Sequence, residues 1–382
     1  MRLRFQFRRY RLPFRAVVRT AHGPWLEREG VIVRLQDASE GGSGAIGFGE
    51  AAPIPWFGTE TIEEVEAGCR AIGEWIEVAV LEQVPKTLGC LRFALSSALA
   101  EMRGAEDEGT PTCSPALAIA ALLPAGPAAL AQITPKAEIG FRVFKWKVGT
   151  GDLADELALL DDVCAQLPSG GKLRLDANGA WNRRQAARWL ERCADRPVEF
   201  VEQPIAADAR GAEDLLLGLS GDYPTPIGLD ESLIGDVDLE KWLGAGWPGI
   251  FVVKPALFGD AAAALTRLER ANARVVFSSA LETAVGAKSA LRAAFAWKGE
   301  RVPAPAMKSN ERPEAGAAPP AESRHMRALG FGVWPLFADA RFDGPFAPFL
   351  RYPDVQRIDS VSVWTALEGT HSVEPENRSP TA

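Results

Sequence analysis

Phe144-Lys145-Trp146-Lys147-Val148 decides the reading of this chain, because further apolar runs of the same shape follow it at near-constant spacing. Leu173-Arg174-Leu175-Asp176, Phe200-Val201-Glu202, Ile227-Gly228-Leu229-Asp230, Phe251-Val252-Val253-Lys254 and Val275-Val276-Phe277-Ser278-Ser279 each end on a polar group. Counted from Lys147, successive intervals are 29, 26, 28, 24 and 24 residues. A strand plus its return helix takes roughly 25–30 residues or more. Lysine, three acids, lysine and serines therefore cap successive strands. Alternation of this kind implies an α/β protein with a parallel sheet and helical crossovers. A closed β/α barrel gathers the C-terminal ends of its strands on one face, where its active sites lie.

Outside that series, Leu117 to Leu123 reads as the first strand of the set and Phe144–Val148 as the second. Leu153, Leu157, Leu160, Cys164 and Leu167 mark the helix after it, and Asn182 reads as the N-cap of the next. About eight strands ending near Trp334 favour a closed barrel over an open sheet. Residues 1 to about 50 read instead as strands, Val31–Leu35 being the clearest. Thr61-Ile62-Glu63-Glu64 opens a helix as a capping box, and Phe93, Leu95, Ala98, Leu99 and Met102 mark a second. This makes an α+β unit of about 110 residues ahead of the barrel. Residues 299–324, rich in Pro, Ala, Glu and Lys, read as a flexible insertion before the last barrel strand, and the tail from about 370 reads the same way.

The whole chain bounds what the protein does. At 382 residues it is long enough for two or three domains, taking ~150 residues per domain. A net charge of −8 gives no reason to expect nucleic acid as a partner, and no apolar stretch reaches the ~18 residues of a membrane span. Seven arginines and no acid in the first 19 residues raise the question of a targeting segment. Leu3, Phe5 and Phe7 alternate with Arg2, Arg4, Gln6 and Arg8, however, as in a half-buried strand with a solvated face. Five scattered cysteines match neither a zinc spacing nor a disulfide framework, so a reducing cytoplasm is the expected location. The oligomeric state is left open, a monomer being the simplest reading.

The polar strand ends define a chemistry. Residues i and i+2 of a strand face the same side, so Lys145 points with Lys147, and Arg174 with Asp176. Neighbouring ammonium groups disfavour each other's charge, which moves a lysine toward accepting a proton at neutral pH. Asp176, Glu202 and Asp230 offer oxygen ligands with no His or Cys partner, a set that favours Mg²⁺, or Mn²⁺, over zinc. Glu231 falls on the opposite face by pleat alternation, or in support of the site, and Asn178 reads as an aid to metal or substrate, or as a turn. Lys254, across the ring from Lys147, suits a developing anion. Ser278 and Ser279, with Glu282 opening a helix, read either as a carboxylate site at a helix N-terminus or as plain turn and cap serines. His22, His325 and His371 show no pattern. Removal of a proton alpha to a carboxylate, with an enediolate held between two lysines, supports racemisation, cycloisomerisation or β-elimination.

Lys-x-Lys, Asp, Glu, Asp-Glu-Ser and Lys in this order resemble the enolase superfamily, muconate-lactonising subgroup. Phe48-Gly49-Glu50-Ala51-Ala52-Pro53, Leu173-Arg174-Leu175-Asp176-Ala177-Asn178-Gly179, Phe200-Val201-Glu202-Gln203-Pro204, Phe277-Ser278-Ser279-Ala280-Leu281-Glu282-Thr283 and Leu329-Gly330-Phe331-Gly332 are similar, within it, to the o-succinylbenzoate synthase family. The resemblance implies a modified TIM-type (β/α)7β barrel with an N-terminal α+β capping domain. The boundaries it suggests are 1–112 for the cap, 113–340 for the barrel, and 341–382 returning to the cap. It implies Lys147 as base and then acid, Lys145 as its neighbour, and Mg²⁺ on Asp176, Glu202 and Asp230. Lys254 would stabilise the intermediate, and Ser278, Ser279 and Gly332 would line the succinyl carboxylate site, with Asn178 and Arg174 as further substrate contacts. The implied reaction is a hydro-lyase dehydration of a small dicarboxylate, 2-succinyl-6-hydroxy-2,4-cyclohexadiene-1-carboxylate, in menaquinone and phylloquinone biosynthesis. N-succinylamino-acid racemases and dipeptide epimerases share the catalytic set, and a non-catalytic barrel is the third reading. Epimerases carry Asp-x-Asp near the last strand, where this chain has Leu336-Phe337-Ala338-Asp339, with a single acid. The turn Arg19–Trp25 and the loop Pro53–Gly58 are expected to form a lid over the barrel mouth.

Overall fold

A computed structural model of the chain describes residues 2–20, 23–104, 116–302 and 323–369. The first unit is a four-stranded antiparallel sheet of β1 (Arg2–Thr20), β2 (Gly23–Asp37), β3 (Ile46–Ala51) and β4 (Trp75–Glu77), in the order β3-β2-β1-β4. Helices α1 (Ile62–Ile72), α2 (Val78–Glu82) and α3 (Gly89–Arg103) accompany it. The expected capping box forms: Thr61 Oγ1 accepts from the Glu64 N–H at 3.2 Å, and Glu64 Oε2 accepts from the Thr61 N–H at 2.7 Å.

β1 does more than the alternation of its first residues suggests. Leu3 and Phe5 pack into the cap's own core with Val31, Val33 and Leu35. Farther along, Tyr10, Leu12 and Phe14 are buried on the opposite face, against Trp334, Leu336 and Phe337 beyond the last barrel strand. The strand is long enough to serve two cores. Its arginines meet acids brought by other elements: Arg9 pairs with Glu29, Glu63 and Glu66, and Arg8 with Glu368.

The barrel strands are β5 (Leu117–Leu123), β6 (Val143–Lys147), β7 (Lys172–Asp176), β8 (Val198–Glu202), β9 (Ile227–Leu229), β10 (Ile250–Val253) and β11 (Arg274–Phe277). The helices α4 (Leu130–Glu138), α5 (Leu153–Gln166), α6 (Arg183–Cys193), α7 (Ala212–Asp222), α8 (Gly235–Gly244), α9 (Ala261–Arg270) and α10 (Ala284–Ala296) follow them in alternation. Two short strands, β12 (Glu300–Val302) and β13 (Ser323–His325), pair antiparallel before the last barrel strand, β14 (Leu329–Gly332). The ends of the expected flexible insertion are thus strands; its residues 303–322, and the tail from 370, lie outside the described residues. Sheet order β11-β10-β9-β8-β7-β6-β5-β14 is parallel, and a parallel bridge between Ser278 and Gly330 joins its two edges. Seven strand–helix units and a closing strand make a modified (β/α)7β barrel.

Asn182 caps α6, its side chain accepting from the Gln185 N–H at 3.0 Å. After β14 the chain runs through β15 (Phe349–Leu350), α11 (Tyr352–Gln356) and α12 (Ser360–Ala366). Trp364 of α12 packs on Phe48 of β3 at 5.9 Å, and the Arg8 guanidinium lies 4.0 Å from the Trp364 ring centroid. Among the described residues Cys69, Cys90, Cys164 and Cys193 are free thiols. No described helix is long and apolar enough to cross a membrane.

Candidate active site

Parallel register brings the polar strand ends together. Lys147 lies beside Asp176, and Asp176 beside Glu202, as neighbours across β6, β7 and β8. Asp230 directly follows β9, and Lys254 directly follows β10. A cavity of about 1240 Å³ opens at this end of the barrel, lined by Lys145, Lys147, Asp176, Asn178, Asp230, Glu231, Lys254, Ser278 and Ser279. Trp25, Ile54, Trp56 and Phe57 of the first unit form its other wall. Both loops expected to act as a lid therefore contribute to it.

The two sides of the cavity are wired differently. On one side the Lys147 ammonium donates to Asn178 Oδ1 at 2.5 Å, and Asn178 Nδ2 donates to Glu231 Oε1 at 2.9 Å. Asn178 holds a left-handed backbone, φ 43°, which asparagine tolerates better than most residues. Its side chain links Lys147 to Glu231, which, expected on the opposite face or in support, lines the same cavity. Facing them, Lys254 donates to Asp230 Oδ1, and its ammonium lies 5.1 Å from the Phe57 ring centroid. Between these, Lys145 Nζ lies 2.6 Å from Glu202 Oε1 and 2.9 Å from Asp176 Oδ2.

Electrostatics follow from burial and from this pairing. Burial opposes the charge on Lys145, but Asp176, Glu202 and Asp230 outweigh it and raise the ammonium above its ordinary range. Lys254 behaves likewise, with Asp230, Glu231 and Glu202 prevailing over burial. Burial also resists ionisation of Asp230, yet Lys254 and Lys145 hold that carboxyl below its usual value. Burial pushes Glu202 up to about 8, with Lys145 opposing and Asp176 and Asp230 adding to the rise. Glu231 is pushed up to about 7, first by burial and then by Asp230.

Four carboxylates, Asp176, Glu202, Asp230 and Glu231, share this region with three ammonium groups, Lys145, Lys147 and Lys254. Among the described residues no three acid, His or Cys side chains converge into a cation cage, as the lysines hold the acids. The donor set nevertheless fits a hard divalent cation: it is all-oxygen and stands at the ends of adjacent strands.

Several expected contacts are placed elsewhere. Arg174 is fully buried below the cavity, with Nε 2.7 Å from Glu199 Oε2 and its guanidinium 5.0 Å from the Phe200 ring centroid. Lys145, level with it on the neighbouring strand, reaches up to the cavity, whereas the Arg174 guanidinium is held by Glu199 and does not line it. Gly332 packs against β5, where a side chain would meet the Ala120 carbonyl at 2.1 Å; Gly330 lines the cavity instead. Helix α10 starts at Ala284 with Thr283 as N-cap, not at Glu282. Glu282 accepts from Ser279 Oγ at 3.0 Å, and the Thr283 and Gly286 N–H groups donate to Glu50, each at 2.9 Å. The carboxylate at that helix end is the protein's own.

Gln203 escaped sequence reasoning. Its Oε1 accepts from the Asp230 and Ser232 N–H groups at 3.0 and 3.1 Å, and its Nε2 donates to Ser232 Oγ at 2.7 Å. It thereby ties the end of β8 to the turn carrying Asp230. The only local signal was its place beside Glu202 and before Pro204.

A family model described as "Enolase C-terminal domain-like" matches residues 128–330, and one described as "MenC, N-terminal domain" matches residues 1–102. An o-succinylbenzoate synthase of Thermosynechococcus vestitus is 36% identical over 301 residues, covering 78% of this chain and 90% of that protein. One from Edwardsiella ictaluri is 31% identical over 296 residues, covering 76% and 85%. The crystal structure of o-succinylbenzoate synthase from Thermosynechococcus elongatus BP-1, complexed with Mg in the active site, superposes with a TM-score of 0.74 at 32% identity, covering 95% of this chain and 99% of that one. A substrate-liganded L-Ala-D/L-Glu epimerase from Bacillus subtilis shares the fold, with a TM-score of 0.66 at 22% identity, covering 76% and 86%.

Proposed function

From the premise that the chain belongs to the o-succinylbenzoate synthase family of the enolase superfamily, we propose that it dehydrates 2-succinyl-6-hydroxy-2,4-cyclohexadiene-1-carboxylate to o-succinylbenzoate. The reaction would supply menaquinone or phylloquinone formation. The observation carrying this reading is one cavity with Lys147 and Lys254 on facing sides and carboxylates between them. Asp176, Glu202 and Asp230 would hold Mg²⁺, which, when bound, supplies Lewis-acid polarisation of the substrate carboxylate. The family relative with Mg in its active site supports that choice of ion.

Lys147 takes the proton alpha to the carboxylate. Asn178 Oδ1, at 2.5 Å, and Glu231 behind it fix where the lysine nitrogen sits, and Lys147 acts from its neutral amine form. The C–H electron pair forms the enediolate, and collapse of the enediolate expels the hydroxyl from the neighbouring carbon. Lys147, now protonated, donates to the departing hydroxyl, so water leaves on the face from which the proton was taken: a syn elimination. Lys254 stays charged beside Asp230 and faces the developing anion. Trp25, Ile54, Trp56 and Phe57 keep this face apolar and limit the water that competes for the lysines. Ser278, on the far wall of the same cavity, would face the succinyl carboxylate, while the Ser279 hydroxyl already donates to Glu282 at 3.0 Å.

The rival epimerase reading needs an acid pair near the last strand for a substrate ammonium. Asp339 is instead engaged by Arg341 through Nε at 2.9 Å and Nη2 at 2.6 Å. The deciding experiment incubates the enzyme with Mg²⁺ in D₂O beside each substrate. Aromatic product with slow or absent racemisation of an N-succinylamino acid supports the proposal. Rapid racemisation with no aromatic product reverses it.

A further inference from the structure

Arg28 lies in β2, opposite Leu12 of β1, and its side chain is buried at 1% exposure. Its hydrogen bonds go to backbone carbonyls, one of the adjacent Glu29 and the others of two distant segments. Nη1 donates to Pro53 O at 2.7 Å and to Glu29 O at 3.1 Å, and Nη2 donates to Ala52 O. The same guanidinium reaches into the barrel, where Nε donates to Leu281 O at 3.2 Å and Nη2 to Ala280 O at 3.3 Å. Ala52 and Pro53 open the loop carrying Trp56 and Phe57. Ala280 and Leu281 continue the run from Ser278 and Ser279.

A buried charge is costly unless its hydrogen bonds are made. Here they are made by main chain, so the charge is spent on holding two backbones together rather than on one side-chain partner. Leu281 adopts a left-handed backbone, φ 59°, which is unfavourable for a non-glycine residue and persists only where the surroundings impose it. The guanidinium also stands 5.1 Å from the Trp25 ring centroid, and Trp25 meets Trp56 edge-on at 4.7 Å. A second tie runs parallel: Glu50 of β3 holds the start of α10 through the Thr283 and Gly286 N–H groups.

We propose that Arg28 is a positioning residue: it clamps the Ala52–Pro53 segment to the Ala280–Leu281 turn and so sets the gap between the Trp56–Phe57 wall and the Ser278–Ser279 wall of the cavity. The gap selects the substrate. Phe57 rides on the clamped loop, whereas Lys254 is held from the barrel side by Asp230. Lysine cannot replace the fork, because a single ammonium offers its donors from one point and cannot span both segments.

The kinetic arm of the test rests on the proposed dehydration; the structural arm does not. Arg28→Lys and Arg28→Met, each in the full chain, are compared with wild type by hydrogen-exchange mass spectrometry and by steady-state kinetics. Exchange should rise together in residues 52–58 and 278–282 while the barrel helices α5 and α6 keep wild-type protection. KM for the cyclohexadiene substrate should rise about tenfold or more with kcat changed less than about threefold, the mark of lost positioning without lost chemistry. Unchanged protection of either segment overturns the clamp, as does an unchanged KM in an active variant. So does exchange that rises evenly over the whole chain in both variants, since that assigns Arg28 a general stabilising role. Wild type without dehydratase activity would refute the proposed function while exchange still decides the clamp.

Discussion

Glu50→Gln puts the junction between cap and barrel to a quantitative test. Glu50 is buried at 1% exposure, and its two oxygens serve four donors. Oε1 accepts from the Tyr10 hydroxyl at 2.6 Å and the Thr283 N–H at 2.9 Å; Oε2 accepts from the Gly286 N–H at 2.9 Å and the Thr283 hydroxyl. An amide keeps one oxygen and puts an NH₂ in place of the other. Hydroxyls can turn and accept from it, but a backbone N–H cannot. Either orientation therefore leaves one buried N–H, of Thr283 or of Gly286, facing another donor. The orphaned donor costs about 1–3 kcal/mol, and making the remaining bonds neutral adds about 1 kcal/mol, so about 2–4 kcal/mol of stability should be lost.

Part of that loss should return at high pH, for a reason in the same cluster. Burial, and after it the Glu50 charge, pushes Glu282 from an ordinary 4.5 up to about 7. A carboxyl with a raised value in the folded state contributes stability that is fully present below about 4.5 and lost as pH rises through about 7. Removing the Glu50 charge brings Glu282 down and makes that decline shallower. Denaturant unfolding followed by circular dichroism at pH 5 and pH 8 reads both effects. Glu50→Gln should be the less stable protein at pH 5, with a smaller difference between the two pH values than wild type. Wild-type stability at pH 5, or a pH dependence as steep as wild type, would refute the reasoning.

Exhaustive EDTA dialysis should abolish turnover and Mg²⁺ or Mn²⁺ should restore it; Asp230→Asn should lose most activity while keeping its circular dichroism spectrum, because only a ligand charge changes. Full activity of the chelated enzyme would sink the metal assignment. Lys147→Ala should abolish exchange of the alpha proton with D₂O, measured by NMR, while leaving the melting temperature near wild type. Lys145→Ala should instead lose stability by about 3–5 kcal/mol in denaturant titrations, since it leaves Asp176 and Glu202 buried without their ammonium. Trp56→Ala should raise KM more than it lowers kcat, because the ring lines the cavity and leans on Trp25 at 4.7 Å; a kcat loss at constant KM would contradict a purely binding role.

The barrel was legible in the sequence because strand and helix periods are local. A strand of four or five apolar residues followed by a polar one needs only its own alternation to be recognised, and the repeat from Lys147 to Ser278 located six strand ends. The caps at Thr61 and Asn182 were readable for the same reason, since donor and acceptor lie three residues apart. Residue chemistry alone also indicated a lysine–carboxylate cluster, and parallel register then put Lys147, Asp176 and Glu202 side by side.

Depth and partnership were decided only by the tertiary structure. Arg174 and Asp176 share a face, yet the Arg174 guanidinium is held in a buried ion pair with Glu199 while Asp176 lines the cavity. Gly330, rather than Gly332, reaches the mouth because β14 crosses β5 closely at Ala120. Glu50 at the start of α10 and Arg28 across the Leu281 turn join residues more than 200 positions apart. Such contacts follow from how the cap docks on the closed ring, where packing of two separate cores sets the distances. No local pattern carries that information, so the sequence by itself determined which groups stand at the strand ends, and the docked fold determined which of them face the cavity and what holds them there.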